Sequence, residues 1–204
     1  MTLGLFLTQA LNGLQFGILL FLLAAGLTLV FGIMNFVNLA HGSLYMMGAY
    51  FAAAVFGRTE SFLLAAVVAV PATMLLGIVV ERVALMHLYR RDHLDQVLAT
   101  FGLILFFNEL VRIVWGPSSV YMNAPPWLSG TVNLFGLTYP AYRFAIIGVG
   151  LAVGAGLYVL IHRTRVGMLI RAGATHPEIV AALGVNVRLL NTLVFGLGAG
   201  LAGL

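Results

Sequence analysis

Apolar residues gather along this chain into long runs separated by a few polar islands, a pattern that predicts bilayer-spanning helices rather than the alternating faces of a soluble fold. The first run covers residues 9–31, with Gly13, Gly17 and Gly26 inside it and Gly32 just beyond, available for close helix contacts. The second, residues 43–56, is short for a crossing. A third covers residues 61–80 with Pro71 near its middle, where a kink is expected. A fourth covers residues 96–115 and a fifth residues 144–161. The sixth begins at Thr192 and reaches Leu204 in thirteen residues, fewer than the ~17 needed to cross. The expected fold class is therefore all-α: one polytopic membrane domain, residues 1–204, with about five complete spans and the start of a sixth. The chain reads as one that stops inside a helix, as a fragment truncated at its C-terminus would.

The polar islands carry the candidate chemistry. Between the first two runs, Asn35, Asn38 and His41 follow one another at three-residue spacing, and hydrophobicity resumes with no charged loop. They lie on one stripe of a helix or fold into a break between two, and irregular backbone at that depth survives only where protein or a wet cavity satisfies it. Together with Asn108 they are candidates for a solute path, since all four are polar, uncharged at neutral pH and in or beside a spanning run. The alternative for these groups is local capping, and one His without a second ligand is not a metal site. Glu109 and Arg112 stand one turn apart in the fourth run and can form a structural ion pair, which matters because an isolated charge at mid-bilayer costs ~3 kcal/mol.

Residues 81–95 mix Glu81, Arg82, Arg90, Arg91, Asp92 and Asp95 with apolar residues, and read as a helix emerging onto the membrane surface, either as a solvated connector or as a docking element. Residues 116–143 form a long loop rich in Pro and Gly, where Tyr121, Trp127, Tyr139 and Tyr142 suit the headgroup layer and residues 131–139 suggest a short hairpin. The most informative island is residues 162–191. Within it Thr175-His176-Pro177-Glu178 has the form of a capping box, with the Thr175 hydroxyl accepting from the Glu178 amide. A helix over residues 176–183 should follow, with Ile179, Val180 and Leu183 on one apolar face, Ala181 and Ala182 beside them, and Gly184 ending it in a left-handed conformation. Two turns do not hold alone in water, so this helix must pack on its own domain or on another protein; the second is the working expectation.

Composition agrees with the pattern. The chain is 62% hydrophobic and only 8% charged, with a mean hydropathy of +1.07. Soluble domains carry roughly 25% charged residues. The net charge of +4 comes from ten arginines and no lysine, and the arginines sit beside apolar runs rather than in a continuous patch, so no nucleic-acid partner is expected. The absence of cysteine excludes disulfides and thiolate metal sites. The first residues lack the basic region of a cleavable signal, so the first run should remain as a helix. Arg82, Arg90 and Arg91 flank one end of the third run; Arg163, Arg165, Arg171 and Arg188 follow the fifth; the long loop has only Arg143, with Arg112 at its edge. Positive residues stay inside, so segments 81–95 and 162–191 are expected to be cytoplasmic and loop 116–143 extracytoplasmic. With residues 43–56 counted as a full crossing, the first residue is outside as well. No paired carboxylates, two-histidine motif or Ser/His arrangement occurs within the runs, so no catalytic residue and no metal site is expected.

The block Asn35-Phe36-Val37-Asn38-Leu39-Ala40-His41-Gly42, followed by Gly48-Ala49-Tyr50, resembles the signature of the branched-chain amino acid ABC importer permeases. Glu81-Arg82, Thr100-Phe101-Gly102-Leu103, and Arg171-Ala172 through Ala181-Ala182-Leu183-Gly184-Val185-Asn186 follow in the family's order. The likeness covers essentially the whole chain and points to the first of two paralogous inner-membrane permeases. It implies a paralogous permease subunit, cytoplasmic ATPase subunits that hold ATP and Mg, and an extracytoplasmic substrate-binding protein delivering Leu, Ile or Val. This chain would then hold no cofactor of its own. The family's Glu-Ala-Ala…Gly coupling pattern is similar to Glu178…Ala181-Ala182…Gly184, with Thr175 ahead of it, except that Ile179 and Val180 separate the Glu from the Ala pair. Importers of urea or short-chain amides share the signature, so the cargo stays open. A channel or ion-coupled carrier using Glu109 or His41 is the reading of another class; flux without ATP would mark it.

Overall fold

The computed structural model describes residues 3–89, 91–118, 120, 125, 127–134 and 137–204. Arg90 and Tyr121, named above for charge and the headgroup layer, lie outside them, as do residues 135–136 of the expected hairpin. Among the described residues eight helices follow in order: α1 (Leu3–Met34), α2 (His41–Thr59), α3 (Phe62–Val83), α4 (His93–Trp115), α5 (Ala141–Arg163), α6 (Arg165–Thr175), α7 (Pro177–Ala182) and α8 (Val187–Ala202). A 3₁₀ turn, Leu85–His87, follows α3, and an antiparallel hairpin of β1 (Thr131–Leu134) and β2 (Leu137–Pro140) precedes α5. Among the described residues, the four helices α1, α3, α4 and α5 are long and apolar enough to cross a bilayer. The nineteen residues of α2 extend about 28 Å, close to the ~30 Å hydrocarbon core. α8 has sixteen residues and starts at Val187, five positions before the sixth apolar run, because Asn186 caps it by accepting from the Leu189 amide at 3.1 Å.

The polar islands sort to two ends. At one end, Val37 N–H donates to Gln96 Oε1 (3.3 Å), the Tyr89 ring meets Phe36 edge-on at 5.6 Å, and Thr192 of α8 bonds to Glu81 of α3. The arginine-bearing segments after α3 and α5 therefore share that end with the α1–α2 break. At the other end, Tyr139 O–H donates to Asn12 Oδ1 (3.0 Å), as does Arg143, which also lies over the Tyr139 ring. Tyr139 is consequently buried, not spread in the headgroup layer with the exposed Trp127: the hydroxyl has a partner on α1 and the ring stacks edge-on with Phe144. α3 continues unbroken through Pro71.

α8 is the pillar of the bundle. Its Thr192, Val194, Phe195, Gly196, Gly198, Ala199, Gly200 and Ala202 are all buried, against α1, α2 and α3. One cluster joins Val30, Phe36, Leu44, Leu85, Phe195 and Ala199; a second joins Leu29, Ile170, Leu190 and Val194, which seats α6 beneath α1 and α8. The α1–α8 crossing is close enough that a Cβ on Gly26 would lie 2.6 Å from the Gly198 carbonyl oxygen, so glycine is required there.

Candidate functional site

Two polar interruptions meet at the arginine-bearing end. The first is the α6–α7 segment. Thr164 caps α6 by accepting from the Gly167 amide at 3.1 Å, and Gly167, Ile170 and Gly173 face inward while Arg171 is exposed and donates to the Ile161 carbonyl. The expected capping box is not formed. Thr175 is the last residue of α6, where its hydroxyl donates to the Arg171 carbonyl (3.0 Å), and α7 starts at Pro177 after His176 with no side-chain cap. The hydroxyl is used by the helix that ends at Thr175, not by the one that follows. α6 itself was missed as a helix; Thr164 as a cap and the buried 167/170/173 spacing were its signals.

α7 is six residues long. Its apolar face is split, in correction of the expectation: Val180 is buried, whereas Ile179 is 57% and Leu183 78% exposed. Ile179 and Val180 are neighbours, about 100° apart around a helix, so a single inward anchor turns the next residue out. Glu178, Ala181 and Ala182 are exposed beside Ile179 and Leu183. Gly184 has φ +86°, and the amides of Leu183, Gly184 and Val185 donate back to the carbonyls of Ile179, Ala181 and Val180, which closes the C-terminus as a Gly-ended helix does.

The second interruption is the break at residues 35–40. Asn35 ends α1 with φ +46° and an exposed side chain. Asn38 and His41 are buried. Asn38 Oδ1 accepts from the Ala40 amide at 3.0 Å, forming an Asx turn that starts α2. His41 Nε2 lies 3.2 Å from the Leu23 carbonyl; a carbonyl only accepts, so this nitrogen carries the hydrogen. Asn38 Nδ2 and His41 Nδ1 have no protein partner. The structure therefore gathers Asn35, Asn38 and His41 in one turn but not Asn108, which is exposed on α4 because its neighbours Phe107 and Val111 take the face toward Met47 of α2. Glu109 and Arg112 also lie on the exposed side of α4, with Arg112 Nη1 3.5 Å from Glu109 Oε2.

Sequence reasoning placed Glu81 on a surface helix; it is 2% exposed. Its carboxylate accepts from Tyr89 O–H (2.6 Å) and Thr192 O–H (2.9 Å), with Arg82 Nε at 3.7 Å. Burial first, and then the bond to Glu81, push the Tyr89 phenol above its ordinary range, so it remains a donor at neutral pH. The signal was present: Ala65, Ala69, Thr73, Gly77 and Glu81 recur every four residues on the buried face of α3. At the opposite end an apolar cavity of about 740 Å³ is lined by Leu22, Leu63, Ala66, Trp127, Ile146 and Val149 among others. Among the described residues no group of three or more His, Asp or Glu side chains is placed to hold a metal.

These features define a class first: a multi-pass membrane protein built on apolar helices. The family model described as branched-chain amino acid transport system / permease component matches residues 9–204. The chain is 31% identical over 211 residues to the high-affinity branched-chain amino acid transport system permease protein BraD of Pseudomonas aeruginosa, covering 97% of this chain and 68% of that one. It is 28% identical over 209 residues to the corresponding permease protein LivH of Salmonella typhimurium, with the same coverage. No solved structure matches. The chain belongs to the branched-chain amino acid transport permease family.

Proposed function

We propose that this chain is a permease subunit of a binding-protein-dependent ABC importer for branched-chain amino acids in a prokaryotic inner membrane, driven by ATP hydrolysed on a separate cytoplasmic subunit. The observation that carries this is α7: a six-residue helix anchored through one side chain, Val180, that turns Glu178, Ile179, Ala181, Ala182 and Leu183 outward at the end where Arg82, Arg163, Arg165, Arg171 and Arg188 gather. That end is cytoplasmic by the positive-inside rule, and loop 116–143 is extracytoplasmic, where a binding protein delivers the solute. An exposed two-sided tip of acidic and apolar residues is a surface for a partner, and a groove on the ATPase is the occupant that fits the family. A paralogous permease completes the membrane part, and ATP and Mg stay on the ATPase, so this chain needs no cofactor. The names of the relatives support the aliphatic cargo, and the apolar cavity at the far end suits it.

Nucleotide binding shifts the permease between outward and inward states only in so far as the ATPase grips α7 differently in each. α7 leads into α8 through the Gly184 turn, and α8 is packed against three spans, so movement of the tip becomes movement of the bundle. Gly184→Val strains a φ of +86°, and Ala181→Glu places a second carboxylate in the docking face. In the assembled complex both variants insert into the membrane at wild-type level and lose leucine-stimulated ATPase activity; unchanged stimulation in both refutes the docking role. Uptake of labelled leucine against labelled urea in the same vesicles settles the cargo.

A further inference from the structure

We propose that Glu81 is a positioning residue whose releasable bond to Thr192 transmits movement of α7 and α8 into the break between α1 and α2. This rests on α7 being the ATPase-docking element. A buried carboxylate costs several kcal/mol unless it is fully partnered, and Glu81 ties three elements together: the end of α3 that carries it, the connector through Tyr89, and the second turn of α8 through Thr192. The Thr192 hydroxyl has one hydrogen and two acceptors within reach, Glu81 Oε2 at 2.9 Å and the Arg188 carbonyl of its own helix at 3.0 Å. It can therefore leave Glu81 without becoming an orphaned donor. Glu81 in turn keeps Tyr89, and the half-exposed Arg82 guanidinium is already near at 3.7 Å to take the vacated place. A contact that both sides can give up cheaply is a latch between two states rather than a rivet.

What the latch governs follows from its neighbours. Thr192 lies eight residues beyond Gly184, on the helix that leaves α7. Tyr89, held by the other carboxylate oxygen, presses its ring edge on Phe36, which is fully buried inside the break, and the break is further fixed by Val37 N–H on Gln96. A displacement of the start of α8 thus reaches Asn35, Asn38 and His41 through Glu81, Tyr89 and Phe36.

The test uses the complete complex in proteoliposomes and reads leucine transported per ATP hydrolysed. Thr192→Val and Tyr89→Phe, both nearly isosteric, leave assembly with the ATPase intact and lower that ratio about fivefold or more. Combined, they do no more than Glu81→Leu does alone, whereas Glu81→Gln, which still accepts from a hydroxyl, retains most of the ratio. A purely structural Glu81 reduces the amount of assembled complex and leaves the ratio unchanged, and that result overturns the proposal while the docking reading stands. An ATPase that fails to bind or to be stimulated by the wild-type chain overturns the docking reading, and this inference with it.

Discussion

The break at residues 35–40 and the α6–α7 segment both interrupt apolar helices at the same end of the molecule, yet one is folded into the bundle and the other stands on its surface. In and just after the break, Phe36, Asn38, Ala40 and His41 are buried, and the Val37 and Ala40 amides are bonded to the Gln96 and Asn38 side chains. In α7 only Val180 is buried. A chain at membrane depth must meet its own backbone hydrogen bonds, so an interruption there is forced inward against neighbours. An interruption beyond the bilayer has water for its backbone and is free to present side chains. The two thus differ in what they expose: the first keeps its polar side chains Asn38 and His41 inside the bundle, and the second turns Glu178, Ile179 and Leu183 outward.

That contrast can be broken most severely from the inside. Gly26→Leu pushes a side chain into the Gly198 carbonyl and against the His41 ring of the break, whose Nε2 would lie 3.1 Å from the first added carbon. Overpacking of a backbone crossing costs on the order of 3 kcal/mol or more, so the detergent-solubilised protein should lose its monodisperse peak in size-exclusion chromatography. A wild-type profile would mean that α8 is not seated on α1. Asn38→Ala comes next. It deletes the acceptor for the buried Ala40 amide, at about 1–3 kcal/mol, and should lower the thermal unfolding midpoint while leaving ATPase binding unchanged. The smallest effect belongs to the outer segment. Thr175→Ala removes no helix cap and should shift the midpoint less than Asn186→Ala, which removes the cap of α8 at about 1 kcal/mol. Equal shifts would restore the capping role that the structure denies to Thr175.

Most of the helix order was legible. The apolar runs and the hairpin over residues 131–139 map onto α1, α2, the later spans and the β1–β2 pair, because hydrophobic run length is a one-dimensional property. Gly184 was legible for the same kind of reason, since a left-handed helix end has a local residue preference. Thr175 was misread because a Thr with a Glu three positions on fits a cap equally well as it fits the last turn of a preceding helix, and only the path of α6 decides. Asn108 was grouped with Asn35 and Asn38 on residue type, but the helical phase of α4 turns it away from them. Glu81 was placed on a segment emerging onto the membrane surface because charge beside an apolar run suggests an interface; its partners Tyr89 and Thr192 are eight and 111 positions away.

From the sequence alone came the bilayer as solvent, the positions of the spans and the breakpoints between them, all consequences of what each short stretch tolerates. The tertiary structure alone decided which breaks turn inward, that α8 rather than any longer helix is the central pillar, and that one carboxylate at the end of α3 is buried. Those depend on contacts between residues far apart in the chain, where shape and the need to partner every buried polar group select one arrangement among many that local preference allows.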